Sequence, residues 1–205
     1  MPQLTKSERT MVMLRYWTSL ALVVTVAASC ASKKHDAVVP PDAVASKTWN
    51  DRSAQLNGAA SYREAAEAAD NAIRFNPENA FAWNNKSMAL IGLGDQAGAL
   101  VAADRSLALI PNNPLAWNNR GVALRLQARF NEALQSAEQA LLLEERNGTI
   151  WYNKACYAAL MGDRTAALQS LSKAVMLEPQ LKGEAVREPD LTSLREDPKF
   201  KTIVE

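Results

Sequence analysis

Four tryptophans stand 34 residues apart, at Trp49, Trp83, Trp117 and Trp151. The remaining tryptophan, Trp17, lies in an N-terminal stretch of different character. A fixed period of this length means that one small structural unit recurs and stacks on copies of itself. Such a chain folds as an open array in which each unit buries its apolar face against its neighbours. It offers an extended binding surface more readily than an active-site cleft.

With each tryptophan at the fourth position of a unit, the units run 46–79, 80–113, 114–147 and 148–181. Other positions keep the same phase. Position 15 is Ala60, Gly94, Ala128 and Gly162; position 20 is Ala65, Ala99, Ala133 and Ala167. Position 27 is Ala72, Ser106, Ala140 and Ala174, and position 32 is Pro77, Pro111, Glu145 and Pro179. Small residues at fixed places let two helices approach closely. Proline ends a helix because it lacks an N–H and clashes with the preceding turn. Gly94-Asp95 and Gly162-Asp163 supply tight turns, with each aspartate placed to cap the following helix. Asn113-Pro114 sets a cap and a first-turn proline. The Ala- and Leu-rich segments between these signals are about 12–14 residues long, an ordinary helix length.

Ala-Trp-Asn-Asn at 82–85 and 116–119, Gly-Asp at 94–95 and 162–163, and Glu-Ala-Leu at 132–134 resemble the tetratricopeptide-repeat family. The resemblance covers 46–181 in four copies. Units 1 and 3 depart at the turn, with Ala60-Ser61 and Ala128-Arg129, and unit 3 carries Glu145 in place of proline. The resemblance implies an all-α fold: a right-handed superhelical α-solenoid of four helix-turn-helix units, closed by capping helices over 182–205. There Leu191, Leu194, Phe200 and Ile203 are expected to cover the open end of the last unit. Asp197 is expected to cap a helix that begins at Pro198.

The resemblance also implies a ligand groove on the concave face, lined by the first helix of each unit at positions 2, 5, 6, 9, 12 and 13. Positions 5 and 6 place Asn84 and Asn85, Asn118 and Asn119, and Tyr152 and Asn153 in that groove. An amide offers both a donor and an acceptor, so this ladder can pair with the backbone of an extended peptide. Phe81, Met88, Leu115 and Val122 lie at positions 2 and 9 and can form apolar pockets beside it. The tryptophans are expected to pack between helices. The family's clamp for a terminal carboxylate needs lysine at position 5 or 2 and a base at position 6; positions 5 and 6 have no base in any unit, and Lys47 alone occupies position 2.

The N-terminus reads differently. Lys6, Arg9 and Arg15 precede an uncharged, largely apolar run from Tyr16 to Ala28, followed by Ser29 and Cys30. Basic, apolar and small residues in this order form an export signal. The run reaches about 20 Å as a helix at 1.5 Å per residue, short of a hydrocarbon core of about 30 Å. Ala27-Ala28-Ser29 before Cys30 resembles the bacterial lipobox, with Ala27 where leucine is usual. That resemblance implies a signal peptide over 1–29 and a lipid on Cys30. With Ala31 after the cysteine, it implies an outer-membrane lipoprotein on the periplasmic side. Cleavage as an ordinary secretory signal, or retention as an anchor, are the competing readings. Residues 31–45 hold Lys33-Lys34 and Pro40-Pro41 and read as a flexible tether.

Composition narrows the function classes. The chain carries a formal charge of +1. Taking away the leader's +2 leaves −1 for residues 30–205. A near-neutral domain without a basic cluster has no footprint for nucleic acid. The only histidine, His35, falls in the tether, so the repeats have none for acid–base or nucleophilic chemistry. They contain no zinc-type His/Cys cluster and no glycine-rich phosphate loop, so no metal or cofactor is expected. Cys156 reads as a small buried residue. The expectation is a non-enzymatic scaffold for protein–protein interaction, lipid-anchored in the bacterial cell envelope, that binds a peptide or helix of a protein partner in its groove. Two alternatives stay open: a pilotin-like assembly factor for an envelope machine, and an envelope enzyme or its regulatory subunit.

Overall fold

The computed structural model describes residues 41–205, and all regular structure among them is helical. The signal-peptide and lipidation expectations, with most of the tether, lie outside the described residues. Four helix pairs follow one another. They are α1 (Pro41–Gly58) with α2 (Tyr62–Phe75), and α3 (Ala80–Leu93) with α4 (Gln96–Leu109). Next come α5 (Pro114–Leu126) with α6 (Phe130–Leu143), and α7 (Gly148–Leu160) with α8 (Arg164–Leu177). A short helix α9 (Leu181–Arg187), a 3-10 segment (Pro189–Leu194) and α10 (Pro198–Val204) close the chain. One boundary differs from expectation: α1 starts at Pro41, so 41–45 are helical instead of tether. A first-turn proline suits that start, because its missing N–H has no intrahelical partner to lose.

Alanine sets the spacing within each pair. On α2 the buried residues are Ala65, Ala68, Ala69 and Ala72, a stripe of i, i+3, i+4 and i+7 along one helix face. The same phase recurs on α4 with Ala99, Ala102, Ala103 and Ser106, and on α6 with Ala133, Ser136, Ala137 and Ala140. Buried serines bond across the paired helices. Ser53 Oγ donates to Ala65 O and Ser87 Oγ to Ala99 O, both at 2.8 Å. Ser46 Oγ donates to Ala72 O at 2.9 Å and Ser106 Oγ to Ala80 O at 2.8 Å.

The turn inside each unit is built identically. Ala60, Gly94, Ala128 and Gly162 have φ of 57°, 77°, 58° and 79°, the left-handed region. The following N–H closes back on the helix in every unit: Ser61 to Leu56, Asp95 to Leu90, Arg129 to Leu124 and Asp163 to Ala158, each at 2.9 Å. This is a helix ending in a left-handed residue whose neighbouring amides satisfy the last free carbonyls. Alanine thus replaces glycine in units 1 and 3 without changing the geometry. Those units also lack a side-chain cap on the second helix, whereas Asp95 and Asp163 accept from Gly98 N and Ala166 N. Asn113 accepts from Leu115 N and Ala116 N as expected, and Asn79 and Asn147 cap α3 and α7 in the same way.

The C-terminal end carries larger side chains. Leu191, Leu194 and Phe200 are buried, and Ile203 packs partly buried against them. Asp197 accepts from Lys199 N and pairs with Arg164 of α8, tying α10 to the last unit. That guanidinium holds the Asp197 carboxyl below the usual range.

A left-handed alanine costs about 1–2 kcal/mol, part of which glycine returns through its freer unfolded chain. Ala60→Gly and Ala128→Gly are therefore expected to stabilise the array by about 0.5–1 kcal/mol each. Gly94→Ala and Gly162→Ala should destabilise it by a similar amount. Urea unfolding followed by circular dichroism reads both; a loss on Ala60→Gly contradicts the assignment.

Candidate binding face

The first helices of successive units touch one another, α1 with α3, α3 with α5 and α5 with α7, while the second helices do so at most marginally. First helices that lie closer together than second helices bend the array toward themselves. The first-helix side is therefore the inner, concave face.

The amide ladder holds the units together along that face. Asn85 Nδ2 donates to Asn50 Oδ1 at 2.9 Å, Asn119 Nδ2 to Asn84 Oδ1 at 2.9 Å, and Asn153 Nδ2 to Asn118 Oδ1 at 2.8 Å. Each bond joins position 6 of one unit to position 5 of the unit before it. Asn57 Nδ2 adds a bond to Asn85 O at 2.9 Å. Asn84 and Asn119 are buried, and Asn85, Asn118 and Asn153 are half-buried. The ladder expected to pair with a peptide backbone is thus in part engaged between units. Each position-6 amide uses a donor within the array, and its geometry follows from the near approach of the first helices. Tyr152 is corrected too: it is buried at position 5 of unit 4.

The tryptophans occupy the same junctions. Trp83, Trp117 and Trp151 donate from Nε1 to Pro77 O, Pro111 O and Glu145 O at 2.9, 2.8 and 2.8 Å. A base at position 7 of each of these units lies over the ring: Lys86, Arg120 and Lys154, at 5.5, 5.8 and 5.5 Å from the centroids. The same bases reach back to an acid on the preceding second helix. Lys86 pairs with Asp70 at 2.6 Å, Arg120 with Asp104 at 2.8 Å and Lys154 with Glu138 at 3.2 Å. The period of this base–acid pairing was present in the sequence at positions 7 and 25 but is invisible without knowing that those positions meet. Partly exposed pairs contribute at most about 1 kcal/mol each. Trp49 has no such bond because the residue six before it, Ala43, lies inside α1.

On the inner face of units 2 and 3 apolar side chains stand open, whereas unit 1 presents the exposed Lys47–Asp51 pair at positions 2 and 6. Phe81 is 57% exposed, Leu115 53% and Met88 42%, and Val122 is half-buried beside them. Apolar side chains this open, next to a rigid row of amides, form a surface that a partner's apolar groups can cover. In unit 4 the equivalent residue to Met88 is Cys156, which is only 3% exposed. Burial pushes the Cys156 thiol and the Tyr152 and Tyr157 hydroxyls up from their ordinary values. A thiol so placed is a poor nucleophile.

The class of fold is that of a tetratricopeptide-repeat solenoid. The tetratricopeptide-repeat family model matches residues 148–181, the fourth unit as phased on Trp151. No curated protein matches the chain. Among solved structures, the chain is similar to a thermophilic tetratricopeptide-repeat protein of Thermus thermophilus, at 19% identity over 78% of this chain and 88% of that one, TM-score 0.67. It is similar to pilF of Pseudomonas aeruginosa at 18% identity over 79% and 74%, TM-score 0.66. A third is YrrB, described as a tetratricopeptide-repeat protein with an unusual peptide-binding site, at 23% identity over 70% and 75%, TM-score 0.58. At these identities the likeness shows the fold.

Removing the Asn119 side chain leaves the buried Asn84 Oδ1 without its donor. Asn119→Ala is expected to cost about 1–3 kcal/mol, the penalty of an unmet buried polar group. Asn153→Ala, in a half-buried pair, should cost less. Chemical denaturation of the two variants gives the comparison, and equal losses would remove the argument from burial.

Proposed function

We propose that this protein is a non-enzymatic interaction scaffold, held at the cell envelope by a lipid on Cys30, whose concave face binds a segment or helix of another envelope protein. Tetratricopeptide-repeat folds serve generally as protein–protein interaction scaffolds. The observation that carries the groove reading is the open apolar set Phe81, Leu115 and Met88 on the inner face of units 2 and 3. Covering the exposed half of two such side chains contributes about 1.5–3 kcal/mol, a substantial share of a peptide interface. The amides beside them orient the partner through the acceptors and donors left over from the inter-unit bonds. YrrB's described peptide-binding site, on a similar fold, supports the same use.

The envelope reading is supported by the order of residues in the leader: bases, an apolar run too short for a permanent span, then Ala27-Ala28-Ser29 and Cys30. Several acyl chains on one cysteine anchor firmly where one chain does not. Among the described residues, no helix is long and apolar enough to cross a membrane. Ala31 after the cysteine favours the outer membrane, with the array on the periplasmic side.

Two measurements test these statements separately. Phe81→Ser with Leu115→Ser should lower crosslinked recovery of the partner by about tenfold or more, while the helical circular dichroism signal stays. Undiminished recovery from a folded double variant would move the binding face elsewhere. Cys30→Ser should abolish incorporation of radiolabelled fatty acid and release the protein from the membrane fraction; equal label in both proteins excludes the lipid anchor.

A further inference from the structure

The 3-10 segment Pro189–Leu194 lies on the inner face. It packs on α7, and Asp190 Oδ2 accepts from Arg125 Nη1 of α5 at 2.6 Å. Both α5 and α7 are first helices, the ones that line the concave side. Arg125 stands at position 12 of unit 3, and Tyr152 and Cys156 stand at positions 5 and 9 of unit 4. At position 5 burial is shared with Asn84 of unit 2, but at position 9 unit 4 is buried where unit 2 is open. The difference between Met88, 42% exposed, and Cys156, 3% exposed, lies at one repeat position in two units. Burial first, and then the carboxylates of Glu188 and Asp190, push the Cys156 thiol up from its ordinary value. Leu191 and Leu194 are buried in the same apolar cluster as Tyr152 and Cys156.

We propose that the inner face of unit 4 is a ligand site filled by the chain's own residues 188–195, and that this segment is releasable. The ligand chemistry is that of the segment: a proline-started turn with a carboxylate for Arg125, followed by leucines for the apolar floor. The fit is incomplete. Tyr152 Oη and Arg195 Nε are buried there without a hydrogen-bond partner among the described residues. A buried polar atom left unmet weakens the docked state relative to the open one. Retention rests on one largely buried ion pair and two buried leucines, while α10 holds the chain end separately through Arg164 and Asp197. Lifting 188–195 therefore leaves the chain tethered at both ends, by α9 and α10, and extends the open groove of units 2 and 3 into unit 4. The inference rests on the groove reading above for what competes with the segment.

Cys156 reports the lift, because maleimide reaches it only when the cover opens. The measurement uses the full chain, with labelling read at Cys156 by peptide mass mapping so that Cys30 does not contribute. Asp190→Arg and Arg125→Asp should each raise the labelling rate about tenfold, the factor that corresponds to 1.4 kcal/mol. The double exchange should return it toward the wild-type rate. Adding the peptide of residues 188–195 to Asp190→Arg, which keeps Arg125, should restore protection. Wild-type labelling rates in both single variants overturn the proposal, as does loss of helical circular dichroism in them, since the segment is then an inseparable part of the fold. Failure of the peptide to protect overturns the ligand site. No external partner enters this experiment, so its result is separable from that of partner capture.

Discussion

The close approach of two helices on facing stripes of alanine and serine underlies everything else in this array. Helices separated by methyl groups and hydroxyls pack at the near end of the usual 8–10 Å range. Each buried methyl stabilises by only about 0.8 kcal/mol, so one pair does not hold itself together. Stability must come from stacking, and the array needs ends with larger side chains. The C-terminal end has them in Tyr157, Leu171, Leu191 and Phe200. The serine-to-carbonyl bonds of units 1 and 2 add direction to contacts that alanine alone leaves free to slide.

The junctions between units turn that stacking into curvature. Amide pairs join first helix to first helix, and a base held over a tryptophan joins first helix to the preceding second helix. The two contacts sit at different distances from the array's inner edge, so together they resist both sliding and splaying. A stiff inner face is what a scaffold requires, because little ordering cost remains when a segment binds. The apolar side chains at positions 2 and 9 are left outside these junctions in units 2 and 3, where Phe81, Leu115 and Met88 stay exposed.

Much of this was legible in the chain. The tryptophan phase, the small residue at position 20 and the capping Asp95, Asp163, Asn113 and Asp197 all fall where the sequence places them, because each acts within a few residues of itself. The left-handed turn at Ala60 and Ala128 was legible only through its glycine counterparts in units 2 and 4, since alanine by itself gives no sign of that conformation. The sequence places the amides at fixed positions of the first helices, and the structure adds their pairing with one another. Asn119 meets Asn84 across 35 residues, and that pairing depends on how closely α3 and α5 approach, which no local pattern states. The sequence places the leucines of the final segment as a cover for the last unit; that Asp190 reaches Arg125 is not readable from it, because the two meet across 65 residues.

The sequence by itself determined the unit, its period and its turns, since helix propensity, caps and left-handed residues are properties of short stretches. The tertiary structure decided which polar groups satisfy one another, which apolar groups stay open, and that position 9 is buried in unit 4 but open in unit 2. Those outcomes depend on distances between residues far apart in the chain. They are set by the curvature that accumulates as one alanine-spaced pair is laid on the next.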